Sequence, residues 1–246
     1  MQTYYKISKN ASLEIGNHQG LLYLRDMCRS AEKILDVGCG EGTRLNTLLP
    51  EGSRGWGIDP YDKAISRAKR QYPRHNFQIG VGENLPYPDA NFDLVYSAFA
   101  IEHCTDPEKF VKEMVRVCKT GGHIVILAPN YGAPARRSPA STENPCNKLF
   151  EGLLKDVFPY PGLDWNQVSP RPRFENIDDD TTFEPYLKSM IYYFQNVGAT
   201  VEKYSSLWSL ENSGRNLRKT IIRYLGLLGI WPFKFWGPQI FVSAVK

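Results

Sequence analysis

Short apolar runs alternate with amphipathic stretches along the first half of the chain. The runs Lys33–Val37, Gly55–Asp59, Asn76–Gly80, Phe92–Ser97 and His123–Ala128 have the length of strands. The last two carry the unbroken apolar stretches VYSAF and IVILA, as expected of strands covered by helices on both faces. Between them the period changes. Pro60 to Gln71 reads as a helix with Ala64, Ile65 and Ala68 on its buried side. From about Asp106 to Lys119, Phe110, Val111, Met114, Val115 and Cys118 make an apolar stripe at spacings of three and four. Thr105 or Asp106 caps that helix, Pro107 suits its first turn, and Gly121-Gly122 are expected to end it. A third helix is signalled by Thr181 and Glu184, spaced as a capping box, leading into Tyr186, Leu187, Met190, Ile191 and Phe194 and ending near Gly198. Thr200–Leu207 and Gln239–Val245 read as two further strands. Strands alternating with helices imply right-handed βαβ crossovers and a doubly wound, mostly parallel seven-stranded α/β sheet.

Two stretches break the alternation. About fifty residues from Asn130 to Asp180, rich in Pro, Arg and Asn, do not fit it, and a structureless loop of that length usually has a task of its own. A second insertion runs from about Ser209 to Pro238. If the Thr200 strand is parallel to the others, both leave the sheet at its carboxyl edge, where open α/β sheets bind ligands. No low-complexity linker divides the 246 residues, so a single domain spanning 1–246 is expected. It comprises a core at 33–130, an insertion or lid at 131–181, a helix and strand at 182–208, an insertion at 209–238 and a last strand at 239–246.

Composition narrows the function classes. The chain is 42% apolar and 23% charged, which excludes disordered and collagen-like chains. No apolar run has the length of a bilayer span, and MQTYYKISKN lacks the apolar stretch of a signal peptide, so a cytoplasmic protein is expected. The five cysteines (Cys28, Cys39, Cys104, Cys118 and Cys146) lie far apart without a C-x-x-C pair, which argues against a disulfide framework or a zinc site. The net charge of +4 is too small to argue for nucleic acid, but its distribution is uneven: residues 212–246 hold six basic residues and no acidic one.

The most informative segment is Ile34-Leu35-Asp36-Val37-Gly38-Cys39-Gly40-Glu41-Gly42-Thr43, a buried strand running into a glycine turn and a helix start. Glycines there let the backbone approach a ligand, and amides at the helix start attract an anion. Three details select the ligand. Thr43 stands where the nucleotide pattern G-x-G-x-x-G needs its third glycine. Asp36, two residues before the first glycine, would repel a pyrophosphate but attract an ammonium or sulfonium. Asp59 ends the next strand, where a carboxylate can accept both hydroxyls of a ribose. A ribose joined to a cationic, zwitterionic tail satisfies all three, and S-adenosylmethionine is such a ligand.

From Lys33 to Asn130 the chain resembles the class I S-adenosylmethionine-dependent methyltransferases, in particular the group containing ubiquinone and menaquinone C-methyltransferases. ILDVGCGEG resembles the first motif of that family and GWGIDP the second, while GVGENLPYPDANFDLVYSAFAIEHCTDPEKFVKEMVRVCKTGGHIVILAPN resembles its third-to-fifth-strand block. The resemblance implies that Asp36, Gly38, Cys39 and Gly40 surround the methionine part of the cofactor. It implies that Asp59 binds the ribose, that Pro60 lies against adenine, and that Gly82 and Glu83 border the base. Ser97 and Ala98 would lie near the transferred methyl. Val81 departs from the family pattern, which has an aspartate there for the adenine amino group; either Glu83 or a backbone carbonyl replaces it, or adenine is held less tightly.

Methyl transfer is an in-line displacement at an activated carbon, so positioning and exclusion of water supply most of the catalysis. A general base is needed only when the acceptor must lose a proton. His103, after the fourth strand, is the candidate, although an E-H pair there also serves to fix a loop. Glu102 is expected to turn outward, His75 and His123 to sit on the surface, and His18 to be exposed or to close over the site. Tyr4 and Tyr5 form either a lid or a surface segment. Arg136, Arg137, Arg171 and Arg173 would meet a phosphate or carboxylate, or else pair with Asp178, Asp179 and Asp180. Between Asn212 and Leu228, Leu217, Ile221, Leu225 and Leu228 recur at helical spacing beside basic residues, and Trp231, Phe233, Phe235 and Trp236 follow around Lys234. This stretch either packs on the domain, its aromatics lining a substrate pocket, or makes peripheral membrane contact through 212–236. The reading is a methyltransferase acting on oxygen or carbon of a small-molecule or lipid-linked substrate, with no metal and no nucleic acid. A cofactor-binding scaffold without catalysis and a peripheral membrane enzyme are the alternatives.

Overall fold

The computed structural model describes residues 16, 18–134, 136–158, 160–171, 179–211 and 217–246. Tyr4, Tyr5, Arg173 and Asp178 lie outside them. A seven-stranded sheet is built from β1 (Ile34–Val37), β2 (Trp56–Asp59), β3 (Asn76–Ile79), β4 (Phe92–Ala98), β5 (Cys118–Pro129), β8 (Thr200–Ser205) and β9 (Gln239–Val245), in the order 3-2-1-4-5-9-8. The short strands β6 (Asn166–Gln167) and β7 (Phe183–Glu184) pair as a separate ribbon. Strands β1 to β5 pair in parallel, whereas β9 runs antiparallel to both β5 and β8. The reversal follows from the connection: β8 ends at the carboxyl edge, the insertion after it stays there, and β9 must run back. Both insertions therefore leave the carboxyl edge.

The sheet separates two cores. On one face α1 (Gln19–Ser30), α2 (Thr43–Leu48) and α3 (Asp62–Gln71) cover Ile34, Leu94, Tyr96, Val125 and Leu127. On the other, α4 (Pro107–Val117) and α6 (Leu187–Asn196) cover Leu35, Val37, Val95, Ile124 and Ile126. The two-residue period of the strands produces this division and puts Asp36 on the α1–α2 face with Ile34. Phe194 on α6 is fully buried, so truncation to Ala should cost about 3–5 kcal/mol.

Three expected details are corrected. Helix α4 is capped by the Asp106 side chain, which accepts from the Lys109 amide at 2.9 Å, but it runs directly into β5 at Cys118 rather than ending at the glycines; Gly121 (φ +77°) lies within the strand segment. Helix α6 starts at Leu187 without a side-chain cap. Glu184 does not cap it, because its carboxylate is bound by Lys148 and by the Ser138 amide. The first insertion is not structureless: α5 (Pro145–Val157) is capped by Asn144, whose Oδ1 accepts from the Cys146 amide at 2.8 Å. Asn-Pro followed by apolar residues at helical spacing was its sequence signal.

Candidate active site

The carboxyl ends of β1, β2 and β4 meet where Asp36 is in register with Gly57 and Tyr96. The glycine turn after β1 follows a path that side chains would obstruct. Gly38 has φ +84°, and a Cβ there would stand 2.2 Å from the Ala100 methyl; Gly42 has φ +75° and backs onto the Phe77 ring. A Cβ on Gly40 (φ +53°) would meet open space. Several amides of the turn are engaged within the protein. Those of Gly38 and Cys39 donate to the Ile58 carbonyl at 2.8 and 3.0 Å, that of Gly40 donates to Asp59 Oδ2 at 2.9 Å, and that of Gly42 donates to the Cys39 carbonyl at 2.9 Å.

Asp59 does two jobs at the end of β2. Its Oδ2 holds the glycine turn and its Oδ1 accepts from the Tyr61 amide at 2.9 Å, at the start of α3. Burial pushes its carboxyl up and these two amides hold it back. Its remaining lone pairs are available to a ligand.

Asp36 is fully buried beside the buried Tyr96 hydroxyl. Burial pushes its carboxyl up to about 7, against the opposing influence of Arg44 and Tyr96. Burying a carboxylate is costly, and a cationic ligand group offsets that cost. Arg44, which the sequence reading did not single out, connects the strand ends. Its guanidinium donates to the Ala98 carbonyl at 2.7 Å and lies 5.4 Å from the Phe99 ring centre. Phe99 itself is in the left-handed region at φ +58°, a conformation costing on the order of 1–3 kcal/mol that clusters at functional sites. The Ser97 hydroxyl, also fully buried, has no hydrogen-bond partner among the described residues.

His18 is neither plainly exposed nor loose. Its Nδ1 accepts from the Leu21 amide and so caps α1, its Nε2 lies 2.6 Å from Gln239 Oε1, and its ring meets Phe99 edge-on. His75 is buried, contrary to expectation. It accepts from the Gly55 amide at 3.0 Å, and desolvation lowers its ring to about 4. Glu102 is also buried rather than turned outward. His103 stands between two acids: Nδ1 lies 3.2 Å from the Asp180 carbonyl and 3.3 Å from its carboxylate, and Nε2 lies 3.8 Å from Glu102. Thr182 ties this turn to the first insertion by donating through its amide and hydroxyl to the Glu102 carbonyl.

Where adenine is expected, Pro60 and Val81 are exposed. Gly82 packs against Phe110, which a Cβ would reach at 2.1 Å. Glu83 turns toward the start of α4. Its Oε1 accepts from the Thr105 amide at 2.6 Å and hydroxyl at 2.8 Å, so that oxygen is occupied by the protein. Cys39 is buried, its backbone forming part of the turn. Of the four arginines in the first insertion, Arg136 pairs with Glu211 and with the Trp236 carbonyl, and Arg137 donates to the Glu143 carbonyl.

A family model described as a methyltransferase domain matches residues 35–126. Norajmaline N-methyltransferase of Rauvolfia serpentina is 36% identical over a stretch covering 42% of this chain and 38% of that protein. A probable S-adenosylmethionine-dependent methyltransferase of Mycolicibacterium smegmatis is 33% identical over 43% of this chain and 42% of that protein. The chain thus matches about two fifths of the length of these relatives, over the cofactor segment. The crystal structure of an S-adenosylmethionine-dependent methyltransferase from Mesorhizobium loti shares the fold, with a TM-score of 0.56 at 17% identity over 92% of this chain and 96% of that one. Motif order, strand order and matched segment agree: residues 35–126 carry a methyltransferase domain, and the fold is that of S-adenosylmethionine-dependent methyltransferases.

Proposed function

We propose that the protein is an enzyme that transfers a methyl group from S-adenosylmethionine to oxygen or carbon of a small-molecule or lipid-linked acceptor. The observation that carries this reading is Asp36, whose carboxylate is wholly buried at the end of β1, beside a glycine turn in which the amides of Gly38, Cys39 and Gly40 are already used. The site calls for a ligand that brings positive charge. Asp36, Gly38, Cys39 and Gly40 would hold the methionine portion, Asp59 the ribose, Pro60 the adenine face, and Ser97 and Ala98 the region of the methyl. Gly82 and Glu83 would border the base, with a backbone carbonyl rather than Glu83 Oε1 taking the adenine amino group. The cofactor supplies a methyl carbon already activated by its sulfonium. The chain supplies orientation and a dry site, and the strained Phe99 with Arg44 fixes the floor of that site.

His103 is the residue proposed to take a proton from the acceptor. Its Nδ1 lies against Asp180 and its Nε2 3.8 Å from Glu102, which orients the ring at the carboxyl edge. Titration calorimetry with S-adenosylmethionine and with S-adenosylhomocysteine tests the reading. Binding of either, strongly weakened by Asp36→Asn, is expected; failure of both to bind overturns it.

A further inference from the structure

Helix α5 is mounted inside out. Its buried positions are Lys148, Gly152 and Asp156, one face at a spacing of four, while Leu149, Phe150, Leu153, Leu154 and Val157 are exposed, with Phe158 just beyond the helix end. Phe150 is 65% and Phe158 72% exposed, whereas Lys148 is 4% exposed. Polar bonds rather than apolar contacts hold the helix down. Lys148 is bound to Glu184, and the Asp156 carboxylate accepts from the Tyr186 hydroxyl and from Trp236 Nε1 at 2.9 Å. Charged side chains normally face water and apolar ones the core. An apolar stripe left outward by this inversion is complementary to an apolar phase outside the protein.

The second insertion presents a matching surface. Helix α7 (Leu217–Leu227) buries only Gly226, against the Trp208 indole. Leu217, Ile221 and Tyr224 are exposed, Leu228 is 74% exposed, and Trp231 follows at 53%. Arg218 and Lys219 are exposed beside Leu217. The two surfaces adjoin. Trp236 bonds to Asp156 at the end of α5, and Lys188, which donates to the Asp156 carbonyl, lies 6.0 Å from the Trp231 ring centre. Charge selects the occupant. Arg218, Lys219 and Arg223 on α7 and Lys234 after it are basic, and no acidic residue occurs from 212 to 246. A two-fold partner copy would bring like charges together, whereas anionic lipid supplies the opposite charge around an apolar interior.

We propose that α5 and α7 together form a docking surface for an anionic lipid bilayer, seating the carboxyl edge of the sheet, and with it the site, on the membrane. The inference stands on the insertions alone and needs no cofactor. Co-sedimentation of the whole chain with phosphatidylglycerol–phosphatidylcholine vesicles, and with phosphatidylcholine vesicles alone, tests it without reference to methyl transfer. Binding to the anionic vesicles at low salt is expected, with a blue shift of Trp231 fluorescence that Trp231→Phe removes. Arg218→Glu should lower the partition coefficient by about 5-fold or more. Phe150→Ser with Leu154→Ser on α5, and Leu217→Ser with Leu228→Ser on α7, should each weaken binding while leaving the melting temperature unchanged, since these side chains face outward. Absence of binding to anionic vesicles overturns the proposal. So does a stable dimer that buries these residues, or an effect of the α7 variants without any effect of the α5 pair.

Discussion

The cofactor half of the molecule and its carboxyl-edge insertions are built on opposite rules. From β1 to β5, apolar side chains point inward on both sheet faces and the few buried polar groups stand at strand ends. In the first insertion Lys148 and Asp156 are buried and bonded to Glu184 and Tyr186 of the segment that follows, while leucines and phenylalanines face out. The first arrangement gains from apolar burial, which is non-directional and tolerant. The second depends on a few directional bonds whose loss leaves buried charges without partners. The two regions should therefore differ in how they fail.

Two effects of similar, large size come first, beginning with Gly38. Gly38→Ala combines a left-handed backbone with a methyl 2.2 Å from the Ala100 methyl, and should destabilise the cofactor half by about 2–5 kcal/mol. Calorimetric melting checks this; a variant with an unchanged melting temperature would contradict the geometry of the turn. Next comes Glu184→Gln, which strips Lys148 of its charge partner and should cost about 3–5 kcal/mol locally. Hydrogen exchange should then show α5 opening while the β1–β5 amides and cofactor affinity are unaffected. Uniform loosening of both regions would erase the distinction between them.

Smaller is Asp59→Ala, which removes the acceptor of two backbone amides and the proposed ribose contact; affinity for S-adenosylhomocysteine should fall by about 1–3 kcal/mol. An unchanged affinity removes the ribose role. The pH response of Asp36 sharpens the comparison further. With the folded carboxyl at about 7 against an ordinary 3.8, the folded state binds the extra proton between these values. The stability that this residue contributes is fully present below 3.8 and is lost as pH rises through 7. A cationic ligand prefers the ionised form, so its affinity should rise from pH 6 to 8 with release of a proton, measurable by calorimetry in buffers of different ionisation heat. Asp36→Asn should flatten that profile. The smallest effect is Asn144→Ala, costing about 1 kcal/mol through loss of the α5 cap.

The cofactor half was readable because each of its features is local or periodic. Strand length, the stripe Phe110–Cys118, the aspartate cap of α4 and the glycines of the turn all declare themselves within a few residues. The doubly wound α/β sheet and the grouping of Asp36, Asp59 and the glycine turn at one edge followed from alternation and strand ends. The misreadings were made where a distant partner decides. His75 is buried because the Gly55 amide, twenty residues away, needs an acceptor, and Glu184 left its supposed cap for Lys148. Helix α5 has an apolar stripe that pattern alone would turn inward.

The sequence by itself determined the fold class and the sheet edge at which Asp36, Asp59 and the glycine turn gather, because periodicity and strand-end chemistry are encoded locally. Only the tertiary structure decided that the Gly38, Cys39 and Gly40 amides are engaged while the Asp36 carboxylate is wholly buried, and that α5 shows its apolar side to the outside. Those outcomes depend on which groups are left unsatisfied once every element is packed, and that balance is settled by contacts between residues far apart in the chain.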